Sequence, residues 1–309
     1  MAHHHHDHSH AHDHAGHSHG SDDFGRAFAV GAALNSAFVV AELFFGYAAN
    51  SLALISDAVH NLSDVAALLL AWGAAWLSGK RPTDQHTYGY RRASILAALF
   101  NAGLLLVAVG GIAVEAVNRL REPAAVAGWT VVWVAALGVV INGATALLFM
   151  RGRQGDLNIR GAYLHMAADA SVSFGVVVAA LLIMATGWLW LDPLISLGIA
   201  AVVLAGSWGL ARDSVNLALD AVPKSIEIAK VRDYLGALDG VLEVHDLHIW
   251  AMSTNETALT VHLVRPAGHD DAFLHHVCAE LAHRFNIHHA TLQVEANGDA
   301  CKLAPAEMV

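Results

Sequence analysis

SLALISDAVHNLSD, residues 51–64, opens an apolar segment that runs on to Leu77. It carries Asp57, His60 and Asp64. A helix advances about 100° per residue, so His60 and Asp64, four apart, lie one above the other on one face. Asp57 is about two turns before Asp64 on that face and is expected to support the ligands without binding an ion itself. A hundred residues later the pattern returns in Tyr163-Leu-His165-Met-Ala-Ala-Asp169, again at the start of an apolar segment. Two His-x-x-x-Asp pairs offer two imidazoles and two carboxylates, a full ligand set for a tetrahedral divalent metal such as zinc. One such pair on a soluble helix is an ordinary polar face. In a lipid-buried helix an Asp costs a few kcal/mol and needs a partner or a watered path.

The surrounding composition places these segments in a membrane. The chain has 309 residues, 56% hydrophobic and 14% charged, with a mean hydropathy of +0.47. A soluble domain carries about a quarter charged residues. Six segments have spanning length: Ala27–Ala49, Leu52–Leu77, Ala93–Val117, Trp129–Met150, Ala162–Thr186 and Leu191–Ala211. No apolar run precedes Ala27, so no cleavable signal peptide is expected. Lys80, Arg81, Arg91 and Arg92 follow the second span, and Arg151, Arg153 and Arg160 follow the fourth. The positive-inside rule puts both loops, and with six spans both termini, in the cytoplasm.

The two cysteines, Cys278 and Cys301, form no CxxC motif. A net charge of −10 speaks against nucleic acid as a partner. Ten of the 22 histidines precede residue 20. Residues 1–23 (MAHHHHDHSHAHDHAGHSHGSDD) cannot bury a core and read as a disordered, metal-collecting tail. Residues 24–213 then form the membrane domain and 214–309 a soluble domain.

From Ser214 the pattern reads helix Ile226–Leu238, strand Val241–Trp250, strand Thr257–Val264, helix Asp270–Phe285 and strand Ala290–Glu295. The fold class is therefore an α-helical membrane protein, six transmembrane helices followed by a small α+β domain of order αββαβ. Its core is marginal in size, so dimerisation or metal binding is expected to support it. His245 and His248 are three apart in one strand and face opposite ways unless a bulge intervenes. With His262, His288, His289 and Glu295 on or beside the other strands, they suggest a regulatory metal site. Asp84 and His86 read as an ordinary loop.

Metal binding needs neutral His and ionised Asp, and both residue types can hold protons instead. A site of two His and two Asp thus links metal release to proton uptake, as an antiporter requires. The all-nitrogen-and-oxygen donor set suits zinc, and cobalt, nickel or cadmium less well.

SLALISDAVHNLSD, YLHMAADA, the PTDQHTYGY loop, VHDLHIW and HHATLQVE together resemble the cation diffusion facilitator family, in its bacterial zinc-exporter form. The resemblance runs from about Gly25 to Glu295. It implies a homodimer of six-span protomers in the inner membrane, a ferredoxin-like cytoplasmic domain, and export of Zn²⁺ against H⁺. It implies His60, Asp64, His165 and Asp169 as transport ligands. It matches His248, His262, His288 and Glu295 to cytoplasmic zinc positions, with His245 a further candidate. Some members carry a second His after the loop's Tyr-Gly, where this chain has Tyr90. Many eukaryotic members carry a long His-rich loop between spans four and five, which here is only about 151–161. Manganese- and iron-selective members tend to have carboxylates at the places of His60 and His165, which favours zinc here. Rival readings are exporters of other divalent metals, a passive channel, a haem protein and a membrane metalloenzyme. No His-Glu-x-x-His run is present for an intramembrane zinc protease, and four filled ligand positions leave none open for hydrolysis.

Overall fold

A computed structural model describes residues 36–150 and 157–297. The His-rich tail 1–23, the start of the first span with Asn35, Arg151, Arg153 and the last residues from 298 lie outside the described residues. Six helices make the first part: α1 (Ser36–Ala48), α2 (Leu52–Ser78), α3 (Ala93–Arg121), α4 (Gly128–Met150), α5 (Leu157–Thr186) and α6 (Leu191–Ala218). The last five are long and apolar enough to cross a membrane, and the described part of α1 is a shorter apolar helix. Leu69, Trp72, Val107, Val140 and Val202 are exposed on the bundle surface, where lipid rather than water suits them. Trp129 and Trp133 at the start of α4, and the stacked Trp188 and Trp190 before α6, sit where an interfacial aromatic belt is expected.

The helices outrun the expected spans. α3 continues to Arg121, so Arg119 and Arg121 occupy its last turn instead of a loop. Cations are favoured there by the helix dipole. Arg119 also donates to the Asn50 carbonyl (2.7 Å) and side-chain oxygen (2.9 Å), pinning the α1–α2 turn. α6 runs through Ser214 to Ala218, so the change to soluble composition begins while the helix is still running.

The start of α2 is buried, and its free N–H groups need acceptors. Ser51 caps its own helix by accepting from Leu54 N. Asp192, in the first turn of α6, accepts from the Ser51 hydroxyl (2.6 Å), Leu52 N (2.8 Å) and Ala53 N (3.3 Å). One carboxylate thus caps a helix other than its own, and a favourable helix dipole faces its charge.

The soluble part has element order α7 (Ile228–Gly236), β1 (Glu243–Ala251), β2 (Thr257–Val264), α8 (Asp271–Phe285) and β3 (Ile287–Glu295). The sheet order is β1-β2-β3, with β1–β2 antiparallel and β2–β3 parallel. Leu259, Val261 and Leu263 of β2 pack with Val231 and Leu235 of α7 and Val277 and Leu281 of α8. The helices therefore cover one face of the sheet. Asp270 caps α8 by accepting from Phe273 N at 2.7 Å, and Asn286 ends it in the left-handed conformation.

Removing the Asp192 carboxylate strands donors at a buried helix end, at a cost of about 2–3 kcal/mol. Asp192→Ala is expected to lower the unfolding midpoint in detergent micelles clearly. Asp192→Asn, which keeps one acceptor oxygen, should fall between it and the parent protein.

Candidate metal centres

α2 and α5 bring all four residues of the doubled motif together. His60 Nε2 lies 3.4 Å from Asp169 Oδ1. His165 Nε2 lies 3.3 Å from Asp64 Oδ2 and 3.6 Å from Asp169 Oδ2. The two imidazole rings are edge-on, 6.2 Å between centroids. Donors about 2.0–2.1 Å from a shared tetrahedral ion stand roughly 3.3–3.4 Å apart. Asp64, His165 and Asp169 present donors close enough to share such an ion, and His60 joins them through Asp169. Neither Asp64 Oδ2 nor Asp169 Oδ2 takes a hydrogen bond among the described residues. Asp169 is buried, whereas His165 and Asp64 are partly exposed. That open end lies toward the α2–α3 loop, on the side of the bundle that carries the soluble domain.

Asp57 stands one turn deeper and is fully buried. It accepts a 2.7 Å hydrogen bond from the Ser173 hydroxyl, one turn beyond Asp169 on α5. Asn61, beside His60, donates to Glu42 Oε2 of α1 at 3.2 Å. Asp57 therefore ties α2 to α5, and Asn61 ties α2 to α1, each within a turn of His60 on α2. Neither Glu42 nor Ser173 is among the site residues that the motifs indicate. An acidic residue inside an apolar span was the signal for Glu42; Ser173 offered none.

Gly138 of α4 lets this seam close. A Cβ there would lie 2.8 Å from Phe38 Cζ and 3.0 Å from Ser173 Oγ, both buried.

A second cluster sits on the sheet face away from α7 and α8. His245 pairs with His262, but His248 pairs with Thr260, so β1 has one extra residue between them. This bulge turns His245 and His248 to the same face. His262 Nδ1 is 3.1 Å from Glu295 Oε1, and His245 Nε2 is 3.5 Å from Glu295 Oε2. The two rings are 5.3 Å apart between centroids. His245, His262 and Glu295 again present three donors close enough to share an ion. His248 stands behind them and meets Asp246 Oδ1 at 2.8 Å. His288 is not brought to this cluster. It lies at the other end of β3 from Glu295, roughly 23 Å along a strand, and contacts Asn286 Oδ1 at 3.0 Å. Its neighbour His289 faces Tyr88 of the α2–α3 loop. Asp84 and His86 are exposed, and His86 stacks against Tyr90 at 4.7 Å.

Residues 28–217 match the family described as the cation efflux transmembrane domain, and residues 223–297 match the cation efflux protein cytoplasmic domain. The chain is 39% identical to the metal cation efflux system protein CzcD of Cupriavidus metallidurans over 95% of its own length and 92% of that protein. It is 37% identical to the zinc transporter ZitB of Escherichia coli, covering 87% and 88% of the two chains. It is 33% identical to a cadmium, cobalt and zinc/H(+)-K(+) antiporter of Bacillus subtilis, covering 91% and 92%. The chain belongs to the cation efflux family, the cation diffusion facilitators that its motifs resemble. It is an integral membrane cation efflux transporter and not an enzyme.

The packing around Gly138 gives a test of the seam. Gly138→Val is expected to cost about 1–3 kcal/mol by overpacking. Gly143→Val, on the same helix with open space around it, should be tolerated. Thermal unfolding of the two variants in micelles makes the comparison.

Proposed function

We propose that this protein exports Zn²⁺ from the cytoplasm in exchange for H⁺, with His60, Asp64, His165 and Asp169 binding the ion and Asp57 holding the two helices that present them. The observation that carries this reading is the convergence of both His-x-x-x-Asp pairs between α2 and α5, with Asp64, His165 and Asp169 close enough to share an ion and His60 set against Asp169. Zn²⁺ is substrate here. It binds neutral imidazoles and ionised carboxylates, and the same groups take up protons when it leaves. Two carboxylates balance its charge. The partly exposed His165 and Asp64 give entry from the side of the soluble domain. By the loop charges that side is cytoplasmic, as are both termini.

Cadmium and cobalt stand beside zinc in the name of the Bacillus subtilis relative. The nitrogen and oxygen donors accept them as well, with zinc favoured by tetrahedral geometry. In this reading, residues 1–23 collect metal, 24–213 carry it, and 214–309 form a cytoplasmic domain that dimerises and senses metal at His245, His262 and Glu295. The family that this domain matches is a dimerisation domain, which supports a homodimer.

Purified protein in liposomes should take up Zn²⁺ faster when an outward proton supply is imposed by a pH gradient. Asp64→Ala and Asp169→Ala should each abolish this uptake while the protein stays folded and inserted, since each removes a ligand and a balancing charge. Uptake at the parent rate in either variant would falsify the ligand assignment, and uptake indifferent to the gradient would remove proton exchange.

Selectivity gives an independent check. Replacing an imidazole by a carboxylate adds charge and oxygen, which larger or harder ions accept better than zinc. His60→Asp is expected to move the preference from zinc toward cadmium or harder ions. Competition between metals during uptake reads the ranking, and an unchanged ranking counts against His60.

A further inference from the structure

We infer that Asp246 is a positioning residue for the sheet metal centre: its carboxylate holds the His262 ring so that Nδ1 is presented to the ion shared with His245 and Glu295. The inference rests on the reading of His245, His262 and Glu295 as a metal centre. Asp246 is neither on the exposed rim nor in a regular strand position. It is the bulge residue of β1 and has a φ of +48°. That left-handed conformation is uncommon outside glycine, and Asp and Asn tolerate it best. It turns a side chain that regular alternation would send to the helix-covered face toward the histidines instead. There Asp246 Oδ2 lies 3.3 Å from His262 Nε2, and Asp246 Oδ1 lies 2.8 Å from His248 Nε2. The carboxylate is largely buried between the two rings.

A neutral imidazole has one N–H and one lone pair. If Nε2–H of His262 points to Asp246, the lone pair is on Nδ1, and Nδ1 is the atom 3.1 Å from Glu295. A carboxylate behind a ligating histidine fixes its tautomer and ring orientation and raises its basicity. The Asp246–His248 contact then fixes the carboxylate in turn. This gives His248 a place in the centre without making it a ligand, and explains why it sits beyond the three converging donors.

The test uses the full chain carrying Asp64→Ala and Asp169→Ala, so that the membrane site does not contribute. Co²⁺ serves as the probe, read by its visible absorption and by zinc competition. In that background His245→Ala defines which part of the signal belongs to the sheet centre. Asp246→Gly removes the carboxylate yet suits the positive φ, and Asp246→Asn keeps the shape and one acceptor oxygen. We expect Asp246→Gly to weaken the His245-dependent affinity by roughly 10–100-fold and to alter the Co²⁺ spectrum of that site. Asp246→Asn should fall between. The metal-free unfolding midpoint of Asp246→Asn should stay at the parent value, separating positioning from stability. An unchanged affinity and spectrum in both Asp246 variants, with His245→Ala still abolishing the signal, overturns the inference alone. Loss of one bound ion with the remaining affinity intact also overturns it, by making Asp246 a ligand of a separate ion. If His245→Ala changes nothing, the metal reading of the cluster falls first, and the inference with it.

Discussion

Polar side chains inside a lipid-facing bundle must find partners within the protein, and here they find them across α2. Glu42 of α1 is reached by Asn61 of α2. Asp57 of α2 is reached by Ser173 of α5. Asp169 of α5 faces His60 of α2, and Asp192 of α6 caps the N-terminus of α2. These four carboxylates are all buried, and none can turn to water. Each contact is therefore specific to one helix pair and one height. Apolar packing alone is permissive about rotation, because lipid and side chains offer similar surroundings. The polar contacts remove that freedom. They fix the rotation of α2 so that His60 and Asp64 look at α5, and the candidate transport site follows from that orientation.

The two candidate metal centres use the same donor types in different settings. Between α2 and α5, His165 and Asp64 stay partly open, and the donors come from two separate helices. On the sheet, His245 and His262 are both buried, and β1 and β2 are held by a hydrogen-bonded ladder. Open donors on separable elements suit an ion that must arrive and leave. Closed donors on one ladder suit an ion that stays and stabilises the fold. The contrast fits the transport proposed for the first centre and the sensing proposed for the second.

The sequence was most legible where the functional residues share one helix. Four-residue spacing alone puts His60 over Asp64 and His165 over Asp169, whatever the packing. The facing of α2 to α5 followed from needing four ligands. Cross-helix partners were hidden, because nothing local in Ser173 or Asn61 says which carboxylate it will meet. The strand histidines are legible only conditionally, since period two puts His245 and His248 on opposite faces. The bulge that reverses this depends on Asp246 taking φ of +48°, a choice that tertiary contacts make. His288 stands apart from the cluster because β3 runs parallel to β2, which sets Glu295 beside Val264 and the start of β3 beside Thr257 at the far end of the sheet.

The junction between the two parts is polar and exposed. Arg91 meets Glu256 at 2.5 Å, Arg92 pairs with Asp220, and Thr254 N donates to Ser94 Oγ at 3.1 Å. Both arginines directly precede α3, and Glu256 directly precedes β2. Exposed ion pairs are worth about 0–1 kcal/mol each, so these contacts set a register without welding the parts together. A cavity of about 540 Å³ remains beside them, lined by Ala71 and Ala75 of α2, Ala97 and Asn101 of α3, and the β1–β2 turn. The turn that connects the two histidine-bearing strands thus rests on the helix pair that begins with α2. A small shift of that turn can be taken up in the cavity rather than resisted by packed side chains. Weak, directional contacts over unfilled space are what a domain needs if it is to lean on the bundle and still move against it.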